Sequence, residues 1–250
     1  MNKKDYIDIL DFLKQYAGEK YANPENIEDE SEKNKYLNLK ENAKNCIKKF
    51  KDIGNSYKAI GLTYDGKNAS KWLDGTNKRI RNYFWMELKN QDKKNLNSSI
   101  TIAAEGENLR FKVSLEIRDD KSEEKDYIRH FRYLDNIDIY NTNFEYFDLD
   151  GNSIDSALLN KEKLKSWIDN VKCRKEKKLQ IGRTLNYDDI FSMSENDIKL
   201  FFDNAVNELI NYYEIAVGDE KMIENIKNSN KKEFLQSKNQ ILYGPPETKI

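Results

Sequence analysis

Three runs between residues 82 and 118 alternate apolar and polar side chains with a period of two: Asn82–Lys89, Ser98–Glu105 and Leu109–Arg118. Their links are short, and Gly106 sits in the second one. This spacing predicts an antiparallel meander with one face buried and the other in water. A sheet with one apolar face has to cover it, and the flanking sequence supplies the cover. On the N-terminal side Tyr6, Ile9, Leu10, Leu13 and Tyr16 recur at helical spacing. After an acidic loop, Leu39, Ala43, Cys46, Ile47, Phe50 and Ile53 do so again before Gly54. On the C-terminal side Ser122–Leu134 reads as a helix carrying the single histidine, and Phe144–Leu149 with Ile154 flanks an Asp150-Gly151 hairpin turn. Asn160 is placed to cap a helix with Leu164, Trp167, Ile168 and Val171 on one face, and Leu179–Thr184 reads as a strand. Ser194 with Asp197 resembles a capping box that opens a helix through Ile198, Phe201, Phe202, Ala205, Leu209 and Tyr213 to Gly218.

The predicted fold class is therefore α+β, with an N-terminal helical pair, a central antiparallel sheet and C-terminal helices. Prolines occur only at Pro24, Pro245 and Pro246, so none interrupts the segments between. Strong core periodicity ends at Gly218. Residues 1–218 are expected to form one domain and 219–250 a polar connector.

Composition excludes more than it assigns. No apolar run approaches the ~20 residues that cross a bilayer, and a cytoplasmic protein without a membrane partner is expected. Cys46 and Cys173 lie far apart with no Cys/His cluster, so neither a disulfide framework nor a zinc site is predicted. Both are expected to be buried thiols, and His130 to lie at the surface. A net charge of −1 advertises no polyanionic partner, so any such binding has to come from a local patch.

The chain finishes Asn239-Gln-Ile-Leu-Tyr-Gly-Pro-Pro-Glu-Thr-Lys-Ile250. This resembles the strand and loop that open an AAA+ nucleotide-binding domain. A phosphate loop needs glycines for backbone approach, a Lys for the terminal phosphates and a Ser or Thr for magnesium. Here Glu247, Lys249 and Ile250 break that spacing, so no nucleotide binding and no cofactor are expected. The wording Ile-Leu-Tyr-Gly-Pro-Pro is similar to that of McrB-type restriction ATPases and GTPases, bacterial proteins that place a DNA-reading domain before an AAA+ motor. Asn82-Tyr-Phe-Trp-Met-Glu-Leu-Lys89 and Ala205-Val-Asn-Glu-Leu-Ile-Asn-Tyr-Tyr-Glu-Ile215 resemble the N-terminal parts of such proteins more loosely. The resemblance implies a non-catalytic specificity module of an anti-phage defence system, truncated at the Walker A motif, that reads a modified base in DNA. A motor and a McrC-type nuclease partner would then supply turnover.

The residues themselves offer a recognition surface and a rival chemistry. Phe84, Met86 and Leu88 suit a core, which leaves Tyr83 and Trp85 on the opposite face of their strand. Such an aromatic pair can stack a base swung out of a duplex, with Trp72 as a third wall, unless a helix packs over that face. Arg79 and Arg81 precede this strand, and Lys172, Arg174, Lys175, Lys177 and Lys178 form a second basic run; both are candidate phosphate contacts, or else solvated faces. All eight Arg fall between Arg79 and Arg183. The rival is a metal-dependent PD-(D/E)xK-like nuclease that uses Glu87 and Lys89 with Asp74, against which stands the reading of Glu87 and Lys89 as an exposed cross-strand ion pair. A protein-interaction domain without a ligand pocket is the third reading.

Overall fold

The computed structural model describes residues 1–64, 69–75, 77–137, 144–147, 153–154, 161–173, 175 and 179–218. Helix α1 (Lys3–Tyr16) starts at a capping box in which the Asn2 side chain accepts from the Asp5 amide and Asp5 accepts from the Asn2 amide. Helix α2 (Glu30–Asn55) is capped by Asp29, whose carboxylate accepts from the Glu32 amide at 2.8 Å. Strands β1 (Leu62–Thr63), β2 (Tyr83–Asn90), β3 (Ser98–Glu105) and β4 (Arg110–Ile117) follow. Leu109, predicted as strand, instead takes a φ of 46° and closes the β3–β4 turn.

The predicted helix over 122–134 is helix α3 (Glu124–His130) continued by a 3-10 turn over Phe131–Asn136. Strands β5 (Glu145–Phe147) and β6 (Ser153–Ile154) pair as a hairpin, and helix α4 (Lys161–Lys172) comes next. The predicted Asp150-Gly151 turn, the Asn160 cap and the connector 219–250 lie outside the described residues. Strand β7 (Gln180–Asn186), the short helix α5 (Tyr187–Ser192) and helix α6 (Glu195–Val217) complete the fold. The Ser194–Asp197 capping box forms as predicted.

The strands make one seven-stranded sheet in the order β1-β2-β3-β4-β7-β5-β6, every recorded pair antiparallel. The α+β class is thus observed. Its core lies on one face of the sheet, where Phe84, Met86, Ile102, Phe111 and Val113 are wholly buried under α1, α2 and α6. Tyr6 of α1 stacks on Phe202 of α6 at 5.6 Å, and Phe111 meets the same ring edge-on at 5.5 Å. Phe50 of α2 and Phe12 of α1 close on Phe84 at 5.8 and 6.2 Å.

The opposite face departs from the expectation of a solvated surface. Thr101, Lys112 and Ser114 are buried there, as are Glu87 and Lys89. The reason is that long charged side chains lie down across the pleats and pair with one another, shielding both the backbone and themselves.

A further ladder was not foreseen. Residues 18–21, between α1 and α2, run against 78–80: the Gly18 amide donates to Ile80 O at 2.9 Å, the Ile80 amide to Glu19 O at 2.9 Å and the Tyr21 amide to Lys78 O at 2.8 Å. Residues 69–74 run along the same segment, with Ala69 opposite Met86 and Leu73 opposite Ile80.

Candidate functional site

On β2 the alternation turns Tyr83, Trp85, Glu87 and Lys89 away from the helices. Register then fixes their neighbours. Tyr83 stands opposite Glu105, Trp85 opposite Ala103 and Glu87 opposite Thr101. Glu105, Ala103 and Thr101 in turn face Arg110, Lys112 and Ser114. Ala103 and Thr101 are short, so the row beside Trp85 is low and its flanks are high. The result is a cavity of about 550 Å3, a volume ordinary for small-ligand sites. Tyr83, Trp85 and Glu87 form one wall, and Ser99, Thr101 and Ala103 the floor. Lys112 and Glu116 stand opposite, with Arg118, Asp119 and Asp120 at one rim and Glu107 and Asn108 at the other. Tyr83 is exposed and Trp85 half-buried, with the Arg118 guanidinium 5.9 Å from its ring centre.

Charge in the cavity is lopsided. Six carboxylates line it (Glu87, Glu105, Glu107, Glu116, Asp119 and Asp120) against the cations Lys112 and Arg118. Most are held in pairs. Arg110 Nε donates to Glu105 at 2.6 Å, Ser114 Oγ to Glu116 at 2.6 Å and Arg118 Nε to Asp120 at 2.9 Å. Lys112 is buried and reaches Glu116 at 3.3 Å, Glu105 at 3.6 Å and Gln180 Oε1 at 3.2 Å, with its ammonium 5.1 Å from the centre of the Phe147 ring. A lining of this sign repels phosphate and tolerates neutral or donor-rich groups.

The predicted nuclease residues are not assembled. The Asp74 amide bonds to Arg79 O at 2.8 Å, so Asp74 sits opposite Arg79. Ala69 stands opposite Met86, and Asp74 lies five residues further from Glu87, which puts the two carboxylates on the order of 20 Å apart at the rise of a strand. Glu87 and Lys89 do pair, at 3.0 Å, but within one strand and almost fully buried, rather than exposed across strands. The hydrogen bond that Lys89 Nζ makes is to Leu96 O, at 2.8 Å, which leaves it turned to the protein. Among the described residues no group of three His, Cys, Asp or Glu is placed to hold a metal ion.

Other expectations divide. Trp72 is not a wall of the cavity: it packs edge-on against Tyr21 at 4.9 Å, at the margin of the core. Arg79 is exposed and holds the turn that follows α1, donating from Nη1 to Gly18 O at 2.6 Å. Arg81 is half-exposed, and among the described residues its Nε has no hydrogen-bond partner. Lys172 pairs with Asp135, and Lys175 is exposed, whereas Arg174, Lys177 and Lys178 lie outside the described residues. Ile181 is level with Leu88, and Asn186 with Tyr83, so the described end of this basic run meets the sheet at the end away from Tyr83.

His130 is buried rather than at the surface, its Nδ1 2.9 Å from Ser98 Oγ, because the turn after α3 folds it under Phe131 and Tyr133. Cys46 is buried as expected, and burial pushes its thiol up to about 11. Cys173 is exposed, since it falls in the turn just past α4.

Sequence reasoning missed Lys112, Glu116 and Arg118, although they share one parity along β4 or follow it. It also missed Lys20, which the 18–21 ladder brings opposite Arg79. Lys20, Lys78, Arg79 and Arg81 thereby gather on an exposed edge that leads into Tyr83. No known protein family matches the chain, and no curated protein matches it either.

Proposed function

We propose that this chain is a non-catalytic recognition module that takes an extruded DNA base onto the Tyr83 and Trp85 wall of the sheet cavity. One observation carries the reading: the two aromatic side chains open onto a cavity with a short polar floor, and none of the described helices that cover the sheet lies on that face. An extruded base needs a stacking partner and polar groups at its edge, and it is neutral. The carboxylates that line the cavity turn phosphates away from it, while Lys20, Lys78, Arg79 and Arg81 offer the backbone a cationic edge next to the opening. A place in the cytoplasm as the specificity part of a McrB-like modification-dependent restriction system, with the motor and a McrC-type nuclease supplying turnover, belongs to the same proposal. For the described residues, no helix is long and apolar enough to cross a membrane.

The test is fluorescence anisotropy of the chain with methylated and plain duplexes at two salt concentrations. Trp85→Ala should remove stacking of ~1–3 kcal/mol, roughly 5- to 150-fold in affinity, and bring methylated and plain duplexes together. Replacing Arg79 and Arg81 should weaken all duplexes alike and flatten the salt dependence. Absence of binding to every duplex at low salt, by a folded sample, refutes the proposal.

A further inference from the structure

Glu87 stands apart from the other carboxylates around the cavity. It is only 7% exposed, and among the described residues its buried Oε2 accepts no hydrogen bond. Lys89 Nζ lies 3.0 Å from Oε2 but outside hydrogen-bonding geometry, and Arg118 Nη1 is 3.9 Å from Oε1. Glu105, Glu116 and Asp120, by contrast, each accept a short hydrogen bond from a neighbour. The two cations balance the charge of Glu87 but leave its hydrogen-bonding capacity unfilled, and a buried carboxylate of this kind at a cavity wall can take a donor from a ligand.

Position narrows the kind of donor. Glu87 follows Trp85 by two residues on the same face, about 7 Å along the strand, which is the reach from a stacked ring to a group on its edge. The carboxylate torsion is soft, so either oxygen can turn to the cavity. A carboxylate accepts from an exocyclic amino group and repels ring carbonyls.

We propose that Glu87 sets the chemistry of the ring the cavity accepts, taking a hydrogen bond from an exocyclic amino group of a base stacked on Trp85. This rests on the nucleobase reading above. Rings that carry an amino group are admitted, and a ring whose single N–H is flanked by two carbonyls is disfavoured.

The experiment uses the full chain and fluorescein-labelled duplexes with one central cytosine, adenine or thymine opposite an abasic site, so that no base pair has to be broken. The wild-type protein should bind the cytosine and adenine duplexes about tenfold more tightly than the thymine duplex, the scale of one hydrogen bond to a charged acceptor. Glu87→Gln, whose amide both donates and accepts, should bring the three within about twofold. Glu87→Ala should do the same by removing the acceptor, and circular dichroism identifies any variant that fails to fold. Equal binding of all three duplexes by the wild type, or a tenfold preference that survives in a folded Glu87 variant, overturns the assignment of Glu87 and leaves the nucleobase reading standing. If Trp85→Ala leaves all three affinities unchanged, the nucleobase reading itself falls, and this inference with it.

Discussion

Gly182 is the position where one added methyl group should do the most damage. It lies within β7, opposite Ser114 of β4 on one side and Glu145 of β5 on the other. A Cβ there would stand 2.2 Å from the backbone oxygen of Val113 and 2.9 Å from both Cα and Cβ of Ser114. Ordinary contact begins near 3.4 Å, so β4 and β7 would have to part by about 1.2 Å at this point. The obstacle is backbone rather than the end of a flexible side chain, and it cannot swing away. Overpacking in a tight interior costs about 1–3 kcal/mol. Each ladder hydrogen bond that is stretched open adds about 1 kcal/mol, so Gly182→Ala should lose about 3–5 kcal/mol. The outer strands β5 and β6 join the sheet through β7 and should loosen with it. Urea unfolding followed by far-ultraviolet circular dichroism measures the loss, with Gly75→Ala as the control. Gly75 has nothing within 4 Å of a Cβ, and its replacement should stay within about 0.5 kcal/mol of wild type. A Gly182→Ala protein within 1 kcal/mol of wild type would refute the close approach of β4 and β7.

Two further outcomes test the helical side. In the native protein a thiol reagent at pH 8 should modify Cys173 quickly and Cys46 only on unfolding; because burial raises the Cys46 thiol to about 11, folding stability should also decline as pH rises from about 9 towards 11. Lys49 bridges Asp5 and Asp8, each at 2.8 Å. Burial raises the Asp5 carboxyl, but the hydrogen bond and charge of Lys49 and the Asn2 amide outweigh it and hold it below the ordinary carboxylate range. Its contribution is therefore present above the unfolded carboxylate pKa and is lost as pH falls through the lowered one, and Lys49→Met should reduce this acid sensitivity by up to about 1 kcal/mol. A thermal-melt series from pH 6 to pH 2.5 in which the two proteins lose stability in parallel would count against that bridge.

What was legible in the sequence is what local chemistry determines. The Ser194–Asp197 box and the 3.6-residue stripes of α1, α2 and α6 act over one or two turns, and β3 has its predicted bounds, Ser98 to Glu105. The slot of β7 between β4 and β5 was not legible, because it depends on the missing Cβ of Gly182 meeting a backbone brought from far away in the chain. For the cavity, parity alone separated Tyr83 and Trp85 from Phe84 and Met86. Register was needed to find Lys112, Ala103 and Thr101 beside them. Trp72 was misplaced because pairing along β2 slips between the Ala69–Met86 and Leu73–Ile80 bridges, and the irregular stretch turns the indole onto Tyr21.

Ala103 gains a particular importance from this geometry. It lies on the cavity floor with Trp85 on one side and Lys112 on the other, while its neighbours Ile102 and Ala104 point into the core. The side chains that hold the protein together and those that line the cavity thus alternate along a single strand. A lineage could lengthen residue 103 from Ala to Ser, Val or Leu and narrow the aperture beside Trp85 stepwise, without disturbing a helix. Descendants of this chain could then diverge in the width of the cavity while keeping one hydrophobic interior, and position 103 is where a designer who wanted to reshape it would begin.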